Sequence, residues 1–288
     1  MYQLPRSTRL IHIDSANDET VLNGTMKSDI RYYFKEAITV SSNYQIVVSP
    51  NEVQIPISFY QITAHNNTLN YTYDGEDFTL IISAGNYDAV TLQTYLINSF
   101  EDSVITVLFD VVNYKFIFTS TTGTFTMKST STCFTLLGFS NQDHNSALVS
   151  GVNTITSDQV CNMSGTRNIY VHSNLSVTSM DTRSSRFENI LCKLPITCAP
   201  GQILFWSNFM LTRFPVNEIY IGMLEVQLRD DLGNLVDLNN CDWSMSIQID
   251  IYPSDREVTQ LDHSVLGLVP MKNNQNIISN QNINDVVP

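Results

Sequence analysis

Along most of this chain, apolar and polar residues alternate one for one. Tyr44, Ile46 and Val48 share a face, as do Ile55, Ile57 and Phe59. Ile169, Val171 and Leu175 point one way, with Tyr170, His172 and Asn174 opposite. Ile190, Cys192, Leu194 and Ile196 form another set. The clearest is Met245, Ile247, Ile249 and Ile251 against Ser244, Ser246, Gln248 and Asp250. A period of two is the mark of half-buried strands in antiparallel sheets. The stretch Ile221–Pro253 reads as two such strands, walls of a sandwich whose polar connection, Asp230–Trp243, reaches one end of it, with Met245, Ile247, Ile249 and Ile251 in the core and the four polar residues facing outward toward a neighbouring subunit or solvent.

The rhythm changes over residues 66–150. After the strand "FTLIIS", Leu92, Tyr95, Leu96 and Phe100 recur at helical spacing, which predicts a helix over 88–100 with Asp88 or Asn86 as its N-cap. Ile105, Val107 and Phe109 then face Tyr114, Phe116 and Phe118 across an expected hairpin. "FTMKS" reads as a third strand, and "CFTLLGF" as a helical turn stopped by Gly138. The expected plan is an all-β sandwich, built from 36–65 and 160–255, interrupted by a small α+β unit at 66–150. Residues 1–35 read as an N-terminal arm and 256–288, which lose periodicity, as a C-terminal arm.

Composition narrows the function. The chain has 288 residues, 43% of them hydrophobic, enough for a substantial core. Only 15% are charged, so the surface is neutral-polar and suited to burial in an assembly without desolvating many ions. The net charge of −13, without any run of cations, argues against direct nucleic-acid binding. Cys133, Cys161, Cys192, Cys198 and Cys241 are odd in number and form no CxxC pair; five free thiols are expected. The opening "MYQLPRSTRLIHID" lacks the apolar core of a secretion signal, and no stretch approaches a membrane span. The Asn-x-Ser/Thr matches at Asn23, Asn66, Asn70, Asn162 and Asn174 read as chance in an Asn- and Thr-rich chain.

Candidate chemistry is sparse. His12, His65, His144, His172 and His263 are too dispersed for a short-range metal pair; His172, on the polar face of its strand, reads as a surface or interface residue sooner than as a base. Asp230 and Asp231, with Asp237 and Asp242, offer hard oxygen donors but depart from the spaced calcium-loop pattern, so turn chemistry is expected. Tyr71 and Tyr73 are aromatic candidates for stacking on a sugar, or else ordinary strand residues. No catalytic, cofactor-binding or metal-binding residue is assigned, and no enzyme activity or cofactor is expected.

The order of signatures carries further information. "IPISFYQI", "GNYDAVTL", "LLGF", "RNIYVHSNL", "FENILCKLPI" and a final Asp-x-x-Gly-Asn…Asp-Trp hairpin succeed one another over residues 40–255. This succession resembles the vertex (penton) proteins, minor capsid proteins of virophages and polinton-like double-stranded DNA viruses. The resemblance implies a single jelly roll of eight strands in two sheets. It also implies a homopentamer at icosahedral vertices, between trimers of a double-jelly-roll major capsid protein. The location it implies is the virion, after assembly in the host cytoplasm or a viral factory. The alternative function is a receptor- or glycan-binding sandwich, an attachment protein.

Overall fold

A computed structural model describes residues 4–17, 20–100, 104–175, 179–181 and 186–254. In chain order the elements are β1 (Ser7–Asp14), β2 (Thr20–Leu22), β3 (Asp29–Thr39) and β4 (Tyr44–Pro56). Then come β5 (Thr68–Tyr73), β6 (Glu76–Ile81), α1 (Ala89–Ser99), β7 (Thr106–Asp110), β8 (Lys115–Ser120), β9 (Phe125–Met127), α2 (Phe134–Leu137), β10 (His144–Asn145), β11 (Ala147–Val149) and β12 (Val152–Thr156). The chain continues through β13 (Asn168–Ser173), β14 (Ser179–Asp181), β15 (Arg186–Glu188), β16 (Ile190–Pro195), β17 (Ile203–Ser207), β18 (Phe214–Val216), β19 (Tyr220–Arg229) and β20 (Ser244–Pro253).

Two sheets form the sandwich. One has the order β1-β20-β4-β17, with β18 also on β4; the other runs β16-β13-β19-β3-β2. Every pair is antiparallel. Taking β17 and β18 as one interrupted strand, the eight principal strands are ordered first-eighth-third-sixth and second-seventh-fourth-fifth. That is the jelly roll, an all-β fold. Ile46, Val48, Val53 and Ile55 of β4 with Ile247 and Ile249 of β20 pack against Ile30, Val171, Leu224 and Val226 of the other sheet. The inward phase of β4 changes between Val48 and Val53 because a bulge intervenes: Ser246 pairs with Glu52 and Ile247 with Pro50, leaving Asn51 extra. Pro50, which has no N–H for the ladder, is tolerated there.

Several expectations are corrected. Residues 1–35 are not an arm: β1 pairs with β20 along its whole length and β3 with β19. β1 is an edge strand with only Ile13 fully buried, so its sequence carries a weak apolar signal. The sandwich therefore begins at Ser7, not residue 36. β19 and β20 are two walls of the roll, as expected, but not a hairpin: they lie in opposite sheets, and residues 230–243 cross the end of the sandwich. In β16 the buried residues are Leu191 and Leu194, with Ile190 and Cys192 half-buried, because a bulge opposite Val171–His172 breaks the alternation. Ile251 is half-buried. Ser246 and Asp250 sit on the outer side of β20, yet Asp250 is only 1% exposed. Thr8 donates to the Asp250 carboxylate at 2.6 Å and Gln248 at 2.9 Å; Ser246 meets His12 at 2.9 Å and donates to Glu52 at 3.0 Å. Neighbouring polar side chains of the same subunit cover these groups, where a neighbouring subunit or solvent was expected to. The expected C-terminal arm, 256–288, lies outside the described residues.

The chain between β4 and β13 builds a separate body. Its two sheets run β10-β9-β5-β6 and β11-β12-β8-β7, and "FTMKS" joins the first through β5 and β9. Leu69, Leu92, Leu96, Phe116 and Phe118 belong to a core distinct from that of the sandwich. α1 forms where the period changes, and Asp88 is its N-cap: its carboxylate accepts the Thr91 N–H at 2.7 Å while the Thr91 hydroxyl accepts the Asp88 N–H at 3.0 Å. Val107 pairs with Phe118 and Phe109 with Phe116, as the alternation predicts.

α2 ends at Gly138, held at φ 84°. A Cβ there would stand 2.4 Å from the Gln159 carbonyl oxygen, which is backbone and cannot swing aside. Gly138→Ala is expected to cost at least about 2 kcal/mol from the left-handed backbone and the clash combined. The loss is read as a lower denaturant midpoint; an unchanged midpoint refutes it.

Candidate functional site

The acidic residues of the β19–β20 connection are used locally. Asp230 accepts the N–H groups of Leu232 and Asn234, both at 2.8 Å, closing its own turn. Asp237 accepts the Asn239 N–H at 2.9 Å. Asp242 pairs with Lys27 and receives the Ser15 hydroxyl at 3.2 Å. Among the described residues no three His, Cys, Asp or Glu side chains stand where they could hold a metal ion.

Asp231 reaches farthest. It accepts the Arg167 N–H at 2.7 Å, the Asn168 N–H at 3.0 Å and the Asn168 side-chain amide at 2.7 Å, fixing the chain where it re-enters the sandwich. Partial burial pushes its carboxyl up, but these hydrogen bonds outweigh it and leave the group below its ordinary 3.8. A depressed folded-state pKa stabilises the fold above the unfolded value, and the contribution is lost as pH falls through the folded one. Asp231→Asn is therefore expected to cost about 1 kcal/mol at neutral pH, allowing for solvent screening. The gap to the wild type should shrink as pH drops below 3.8. Urea midpoints at neutral and acid pH check this; a gap independent of pH contradicts it.

The other singled-out residues do not converge either. His172 lies on β13 opposite Gln227, on the outer face. His144 is buried against the Phe134 and Phe139 rings, with Nε2 3.1 Å from the Ser140 carbonyl oxygen. Tyr71 is no sugar platform: it is buried, stacked on Phe78 at 5.3 Å and edge-on to Phe100 at 5.2 Å. The Tyr73 hydroxyl meets Thr122 at 2.6 Å. All five cysteines are free; burial pushes the Cys133 thiol up to about 12 and raises Cys192 as well. A cleft of about 430 Å³ lies between sandwich and insert, reaching from Tyr60 and His65 to Asp230. Its carboxylates and several of its amides are already taken up by the turns above and by Asn66, which holds Gln61 and Thr63.

The surface is informative where the interior is not. The outer face of the second sheet is ionic and polar, with Arg31 on Glu225 at 2.9 Å and Lys193 over the Tyr170 ring. Residues 194–212, covering β17 and the loop after it, contain no Asp, Glu, Lys, Arg or His. Ile203 and Phe205 stand outward on β17; Phe209 and Met210, each 89% exposed, and Leu211 follow in the loop. Half of the run "ILFWSNFML" does not alternate, so hydrophobic periodicity alone does not mark it. The absence of charge across that run was the legible signal.

Fold and surface together define the class: a jelly-roll sandwich carrying an inserted α+β unit, with bare apolar residues along a sheet edge. Among solved structures, the selenomethionine-labelled mavirus penton protein is similar to this chain, with a TM-score of 0.47 and 10% identity over 84% of this chain and 99% of that one. The sequence matches no protein-family model and no curated protein.

Proposed function

We propose that this chain is a structural capsid protein that forms pentamers at icosahedral vertices, seated among trimers of a double-jelly-roll major capsid protein in the virion. Jelly rolls serve both in viral coats and in lectins, so the fold admits either reading. The observation that favours assembly is the apolar edge at β17. Sheet edges are normally protected by charge, proline or cover, and an unprotected apolar edge marks an association surface. The succession of sequence signatures from residue 40 to 255 supports the vertex role within that class. No catalytic residue, metal or cofactor is assigned.

The test is the native mass of the purified protein. A species of five chains, each 32.5 kDa, is expected, and it should persist in high salt because few of the exposed edge groups are ionic. A chain that stays monomeric at high concentration and fails to join particles of the major capsid protein overturns the reading. The glycan-binding sandwich then takes its place, to be examined on a glycan array.

A further inference from the structure

A closed ring of identical subunits needs two different surfaces on opposite sides of each subunit, because head-to-tail contacts are heterologous. This molecule has two such sides. β17 ends the first sheet at one flank and β16 ends the second. Only residues 196–202 separate the end of β16 from the start of β17, so the two share that flank. At the other flank β1 ends the first sheet and β2 the second. Those two are tied by Trp243: its backbone N–H donates to the Ser15 hydroxyl at 2.9 Å and its indole to the Lys27 carbonyl at 2.7 Å.

The β17 flank is built for presentation. Asn208 clamps its own loop, donating to the Thr212 carbonyl at 2.9 Å and accepting the Thr212 N–H at 3.0 Å. The same amide donates to Ser49 at 3.0 Å, and the Asn208 N–H bonds the Asn51 carbonyl at 2.8 Å, at the bulge of β4. Leu211 is held at φ 51°, a strained conformation for a bulky residue. The effect is to fix Phe209, Met210 and Leu211 outward at the cost of local stability. With Ile203 and Phe205 they make five large apolar side chains on one flank, each more than half exposed, which is the mark of an association surface. The β1–β2 flank offers a smaller apolar counterpart in Leu10, Val21 and Leu22, about half exposed each.

We infer that copies of this chain join head to tail, the Ile203–Leu211 edge of one subunit seating on the β1–β2 edge of the next. The inference rests on the proposed capsid role and specifies its ring contact. The preset loop spares most of the ordering cost of association.

The experiment uses two double variants of the full chain, Phe209→Ser with Met210→Ser, and Val21→Ser with Leu22→Ser. These side chains are half or more exposed or close to it, so circular dichroism should match the wild type; Phe209→Glu serves if the first double variant misfolds. Each variant alone should be monomeric. Mixed in equal amounts they should form a species of two chains and nothing larger, because one intact flank of each kind remains. Rings persisting in either variant overturn the inference while leaving the capsid reading intact. So does a mixture that stays monomeric while the wild type forms rings. A monomeric wild type overturns the inference, and the capsid reading falls with it only if that chain also fails to join particles of the major capsid protein.

Discussion

Trp243→Ala is expected to be among the most damaging single substitutions in the sandwich, costing about 3–5 kcal/mol. The indole is 2% exposed and belongs to the sandwich core. Its loss leaves a cavity, and it also leaves the Lys27 carbonyl, which receives the indole N–H at 2.7 Å, without that donor. Around it, Ser15 donates to the Trp243 carbonyl at 3.0 Å and Lys27 pairs with Asp242. One residue thus joins the end of β1, the start of β3 and the start of β20, which otherwise belong to two sheets. With domain stabilities of roughly 5–15 kcal/mol, the loss is a fifth or more of the total. Trp243→Phe keeps most of the volume and loses only the donor, so about 1–2 kcal/mol is expected. Denaturant midpoints by circular dichroism decide the matter; a loss under about 1 kcal/mol for Trp243→Ala, or equal losses for the two variants, contradicts the pinning role.

The same corner shows what the sequence carries and what it does not. Alternation in Met245–Ile251 marked β20 as a strand with one buried face, because the pleat projects side chains with period two whatever the partner. It could not say which strand lies alongside. β19 and β20 follow each other in the chain and share the same rhythm, so a hairpin was the local expectation; the fold sends them to opposite sheets, a choice made by non-local packing. Burial of Asp250 was equally hidden. A polar residue at an outward position reads as solvent-facing until Thr8 and Gln248, one of them far away in sequence, are brought to it. The helix was legible down to its cap, since Asp88, Thr91 and Leu92 act within one turn. The apolar edge was missed for the converse reason. Phe209 and Met210 face outward, and an alternation-based reading assigns apolar residues to the interior. What distinguishes an exposed apolar loop is its lack of charge and its place on the sheet, and only the first is written in the sequence.

The insert supplies a second large effect with a different readout. Phe118 is fully buried, with its ring 5.8 Å from Phe139, 6.2 Å from Phe100 and 6.5 Å from Phe116. Phe118→Ala removes the aromatic hub of that core and is expected to cost about 3–5 kcal/mol. The cost should stay local. The insert core shares no buried residue with the sandwich core, and where the chain enters the insert Gln61 fixes it by polar contacts: its N–H donates to Asn86 at 2.8 Å, its side-chain carbonyl accepts from Tyr87 at 3.1 Å, and its amide donates to Met163. Such a junction can hold one body on the other without making their unfolding a single event. Native-state hydrogen exchange of Phe118→Ala should show lost protection along β7, β8 and β12, with β4, β19 and β20 keeping theirs. Ring formation should survive, since the two flanks inferred to join subunits belong to the sandwich. If protection falls equally in both bodies, they form one cooperative unit. A Phe118→Ala protein that keeps its sandwich but no longer assembles would place the subunit contacts on the insert, whose exposed apolar residues include Ile81, Leu108, Val111, Val112, Leu148 and Val149.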